Sequence, residues 1–157
     1  MKPPATMVSR MLDAADLLLD RKPKSAAFRR RAVSSAYYAM FHALAKSCTE
    51  CVLPGTNPGS DEYIRVYRAL NHKPLRDAFR LSPLKEALAL RSIGTILAEL
   101  QSAREDADYS PPGNHLFPLA SARDLVAKAR RAVSDLDKLT EEERRALATC
   151  LLFKVRS

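Results

Sequence analysis

Apolar residues recur at steps of three and four along most of the chain, the spacing of helices that bury one face. The first series, Val8, Met11, Leu12, Ala15, Leu18 and Leu19, stops at "DRKPK", where Pro23 disfavours helix in the residue before it. A second series, Val33, Tyr37, Met40, Leu44, Cys48 and Cys51, predicts a long helix from about Lys24 to Leu53, closed by the two prolines and two glycines of "LPGTNPGS". The third segment, "DEYIRVYRALNHKPLRDAFR", opens with acids suited to a helix start and is interrupted at Pro74, giving one helix or two short ones.

The fourth segment starts at Ser82 as N-cap with Pro83 at the first helical position. Lys85 stands where a capping box wants Glu or Gln, and Glu86 follows one residue later. Its inward series is Leu90, Ile93, Leu97, Leu100, Arg104 and Ala107, ended by "SPPGNHLFP". A fifth places Ala122, Leu125, Val126, Ala129, Val133 and Leu136 on one face. The last begins at Thr140, with Glu143 at capping-box spacing, and runs through Leu147, Cys150 and Leu151. Short connections between such segments predict an all-α, antiparallel up-and-down bundle of about five to six helices.

Composition sharpens this. A chain of 157 residues fits one domain over 1–157, and its four glycines and 46% hydrophobic content favour Ala/Leu-rich helices over a β-sandwich. Arg10, Asp13 and Asp16 interrupt the N-terminal apolar run, and no stretch is apolar for long enough to span a bilayer, so no membrane contact and a cytoplasmic protein are expected. The "CTEC" pair, Cys48 and Cys51, has zinc or redox spacing without a second Cys/His pair; it continues an apolar series and reads as buried structural thiols, with no metal or other cofactor implied.

A net charge of +8, concentrated in the first and last thirds, makes attraction to phosphates physically available. The densest run, Arg29, Arg30 and Arg31, reads either as a solvated helix start or as a phosphate-binding patch. The second helix carries three stripes. One is greasy; one is Ala32, Ala36, Ala39 and Ala43, where another helix can approach closely within the chain or across a dimer; one is polar, Arg31, Ser35, Tyr38 and His42. Tyr38 and His42 stand one turn apart, either as the bundle's edge or as a ligand-facing surface. Arg104 lies inward on the fourth helix with Asp108 one turn on and Tyr109 next, so its guanidinium is either structurally paired or grips a phosphate.

The stretches "RRAVSSAYYAMFHAL" and "AREDADY" together resemble the HEPN family (higher eukaryotes and prokaryotes nucleotide-binding), in its small prokaryotic branch. Residues 5–138 fit that family's helix order, with 140–156 as a C-terminal extension. The resemblance implies a nucleotide- or RNA-binding module, often a homodimer and often the partner of a minimal nucleotidyltransferase in a toxin–antitoxin or defence system. The polar stripe and the Arg104 locus supply the ligand-contact candidates, Arg31, Tyr38, His42, Arg104, Asp108 and Tyr109.

Many relatives are metal-independent ribonucleases whose signature is an arginine followed, after four to six residues, by a histidine. Here "REDADYSPPGNH" puts the next histidine, His115, too late. Arg65 and His72 do have that spacing, and as positions seven apart would share one helix face. Arg104, His42 and His72 are therefore the catalytic candidates if RNA is cut, and the enzymatic question stays open. A third alternative is a non-catalytic adaptor that dimerises through the alanine stripe.

Overall fold

The structure is a computed structural model that describes residues 4–113 and 116–154. Among these residues the chain is all-α, with seven helices and no strand: α1 Met7–Arg21, α2 Ala26–Val52, α3 Asp61–Tyr67, α4 His72–Ala78, α5 Leu88–Tyr109, α6 Leu119–Asp137 and α7 Glu141–Leu152. No described helix is long and apolar enough to cross a membrane.

The chain divides into two compact units, Met1–Met40 with Ile96–Val133 and Phe41–Thr95 with Ser134–Ser157. In the first, the facing pairs run antiparallel. Asp13 and Asp16 of α1 meet Arg130 of α6, while Asp20 meets Arg123, so the index rises on one helix as it falls on the other. Likewise Arg30 of α2 reaches Ala107 and Ser110, and Tyr37 lies under Arg104. The ion pairs are exposed and contribute little energy. The packing rests instead on Leu12, Leu19, Val33, Tyr37, Leu97 and Leu100, each at most 2% exposed.

The alanine stripe is used inside the chain: Ala32, Ala36 and Ala39 are fully buried in the first unit and Ala43 nearly so in the second. The small side chains admit the chain's own helices. In this structure the stripe is covered by the chain's own residues, so a dimer contact of the kind an adaptor needs would use another surface.

Two boundaries differ from the sequence reading. The third segment does form two helices, but the break falls at Arg68–Asn71, and Pro74 sits within the first turn of α4, where its missing N–H costs nothing. That break puts Arg65 and His72 on separate helices, so the shared face expected of them does not exist.

The fourth helix starts at Leu88 rather than Ser82. Residues 82–87 form turns, the Ser82–Pro83 bond is cis, and the Ser82 hydroxyl bonds the Glu86 carboxylate instead of capping backbone N–H groups. Leu84, fully buried, anchors this segment. Thr140 and Glu143 form the capping box their spacing implies, and α1 has one from Thr6 and Ser9.

Cys48 is buried and Cys51 half-buried; both thiols are free, and burial pushes Cys48 up to about 12, which leaves it protonated and inert.

In the second unit, Gly94 of α5 lets Phe79 lie against the helix backbone. A Cβ there would stand 2.7 Å from the Cβ, Cγ and Cδ1 of Phe79. Because Cβ is fixed to the backbone, the ring cannot swing clear. Alanine gains about 1 kcal/mol of helix propensity but overpacks by about 1–3 kcal/mol. Gly94→Ala is expected to lower the urea midpoint despite alanine's better helix propensity, and a raised midpoint would show that Phe79 does not pack there.

Candidate functional site

Tyr37 is fully buried on the greasy stripe of α2, with Tyr38 edge-on to it at 5.4 Å between ring centroids. The Arg104 guanidinium carbon lies 5.1 Å from the Tyr37 ring centre. Such a contact is worth about 0.5–2 kcal/mol, more where water is excluded. Burial pushes the Tyr37 hydroxyl up to about 12, and the neighbouring positive charge of Arg104 only partly opposes that.

One turn on, Asp108 Oδ2 is 4.0 Å from Arg104 Nη1, the outer limit of an ion pair. The Arg104 side chain is 12% exposed, and its Nε is buried without a hydrogen-bond partner. A charge that cannot be neutralised by losing its proton is thus turned inward, over the Tyr37 ring, hydrogen-bonded with the Tyr37 side chain and at the edge of reach of one carboxylate. That arrangement keeps a guanidinium ready for a second anion.

The three-arginine run behaves differently from both expectations. Arg29 is 6% exposed; its Nε donates to the Phe117 carbonyl at 2.8 Å and its Nη1 to that of Pro23 at 2.9 Å. Arg30 donates to the carbonyls of Ala107, Ser110 and Pro111. These lie at and just past the end of α5, where carbonyls lack helical partners and carry the negative end of the dipole. Arg29 and Arg30 are therefore neither solvated nor a phosphate patch. Arg31 is exposed. Carbonyl partners leave no mark in a sequence, so this use could not be read there.

His42 belongs to the second unit. Its Nδ1 lies 2.6 Å from the Tyr67 hydroxyl, the two rings are stacked 28° from parallel, and Tyr63 stacks on Tyr67 in turn. Burial holds His42 below its usual range, so the neutral ring is favoured. The same Tyr67 hydroxyl also lies 3.5 Å from the His42 carbonyl, to which it can donate. His72, the first residue of α4, stacks on Phe41 with ring centres 3.8 Å apart.

Tyr63 and Tyr67 were not singled out from sequence, although their four-residue spacing places them on one helix face.

The structure therefore brings Arg104 together with Asp108 and with the Tyr37–Tyr38 pair, and seats His42 on Tyr67. Tyr109 is 77% exposed. His115 lies outside the described residues. The first unit also has a groove of about 640 Å³ whose walls include Glu99, Asp106, Asp124 and Phe117. Its carboxylates repel phosphate, so the Arg104 locus is the better candidate for an anion. Among the described residues no group of three His, Cys, Asp or Glu side chains is placed to hold a metal ion.

Comparison with protein-family models, curated proteins and solved structures yields no match to this chain.

The lowered His42 pKa has a definite sign. Between 6.5 and the folded value the unfolded chain binds the proton more readily, so this histidine's contribution to stability is complete above pH 6.5 and is lost as acid carries the pH down through the folded value. Thermal melts of wild type and of His42→Asn, which keeps an acceptor without titrating, should diverge below pH 6.5, wild type losing more. Parallel pH profiles would disprove the shift.

Proposed function

We propose that this chain is a HEPN-like helical module that binds the phosphates of RNA or a nucleotide through Arg104, without cutting the ligand. The observation that carries the reading is the inward guanidinium itself: stacked on Tyr37, 4.0 Å from Asp108, and with a buried Nε lacking a partner. The +8 charge adds long-range attraction, and the "YYAMFH" and "REDADY" stretches add the family resemblance.

In this reading Asp108 orients the guanidinium and Tyr38 offers a ring for stacking. The module acts in the cytoplasm, as a homodimer built on a surface other than the alanine stripe, beside a nucleotidyltransferase partner in a toxin–antitoxin or defence system.

Binding without cleavage is favoured over ribonuclease action by chain spacing, since no histidine follows Arg104 within the family's interval. His42 is neutral and already bonded to Tyr67.

Labelled single-stranded RNA and a nucleoside triphosphate, titrated in EDTA over a range of salt, test this. Retention should fall steeply with salt. Arg104→Ala should weaken it about tenfold, as for a lost charge-assisted hydrogen bond, and reduce the salt slope by about 0.7. A folded Arg104→Ala variant that binds like wild type overturns the proposal. RNA degradation in EDTA that Arg104→Ala abolishes would establish the ribonuclease instead.

A further inference from the structure

Two more arginines share the peculiarity of Arg104, and both belong to the second unit, where α4 and α7 pack against each other. On α7 the buried residues are Leu147, Ala148 and Leu151. Arg144 precedes them by three, four and seven positions, which puts it on the same inward face. On α4 the buried residue is Leu75, with Phe79 buried just beyond the helix. Arg76 adjoins Leu75 and precedes Phe79 by three, so it flanks that inward face.

Both side chains are half-buried, and the Nε of each is sealed from solvent without a hydrogen-bond partner. Of the four carboxylates on α4 and α7, none pairs with either arginine. Asp77 pairs with Arg80 and Glu141 with Arg145, exposed arginines, while Glu143 closes the capping box of α7. The two inward arginines are thus left without an ion pair among the described residues.

Arginine cannot escape this by deprotonation, unlike a buried lysine or histidine. With its Nε sealed and unbonded, each guanidinium has its outer N–H groups left for water or an anion, and no carboxylate of the described residues pairs with it. Two planar guanidinium forks on touching helices suit a group that presents several oxygens at once, which a phosphate does. Lys73 on α4 and the exposed Arg80 and Arg145 add positive potential around it.

We propose that Arg76 and Arg144 form a phosphate-binding site in the second unit, taking either the terminal phosphate of a small molecule or a backbone phosphate of RNA. The site uses none of the residues around Arg104 and stands whether or not that locus binds.

Thermal melts in a phosphate-free buffer, followed by titration with inorganic phosphate, with a nucleoside monophosphate and with an oligoribonucleotide lacking terminal phosphates, test it. Arg104→Ala serves as the background, so that failure of one locus does not mask the other. Phosphate should raise Tm in that background, and Arg76→Met and Arg144→Met should each weaken the effect about tenfold.

Because an unpaired guanidinium does not stabilise the free protein, the methionine variants should melt no lower than the background when phosphate is absent. Arg76→Lys, which keeps the charge but loses the fork, should retain part of the response. A response to the oligoribonucleotide marks a backbone phosphate as the ligand; a response confined to the two small molecules marks a terminal one. An unchanged phosphate response in the methionine variants, no phosphate response in the background, or methionine variants that melt lower in its absence overturns the proposal.

Discussion

Arg30 closes the C-terminal end of α5, and the register of the first unit follows from that contact. Its guanidinium bonds the carbonyls of Ala107, Ser110 and Pro111, groups that helix geometry leaves unpaired. With the end of α5 held at Arg30 and the two helices antiparallel, seven residues forward on α2 corresponds to about the same distance back along α5. Tyr37 therefore meets Arg104. The arginine thus sets where along the two helices they meet.

Charge placement separates structural from available arginines. Arg29 is buried and Arg30 half-buried, and their N–H groups end on carbonyls. Arg104, Arg76 and Arg144 each keep a buried Nε without a partner. The first pair holds chain segments in place; each of the second group keeps one N–H that the described residues do not satisfy. Net charge alone, +8, does not distinguish these uses.

Much of the helix content was legible because burial imposes a period. The inward series of α5, from Leu90 through Ile93, Leu97 and Leu100 to Ala107, is buried throughout, and Arg104 lies among them as its spacing required. What was not legible depended on partners distant in sequence. Ser82 and Pro83 carry a sound local helix-start pattern, yet the demand of Leu84 for a buried site takes the chain through turns first. Pro74 looked like a breaker, but a proline in a first helical turn leaves the ladder intact. Of the candidate residues, Arg104 and Asp108 form the expected pair, whereas the partner of His42, Tyr67, comes from a helix whose docking no local pattern announces.

Phe117 adopts a left-handed backbone, φ 56°, that a residue with a side chain ordinarily avoids, and its carbonyl is gripped by Arg29 from 88 positions away. The backbone at Phe117, two residues before α6, is consequently held from outside its own stretch of chain. Loosening Arg29 at the start of α2 would therefore be felt at the entrance to α6, a coupling between segments far apart in sequence.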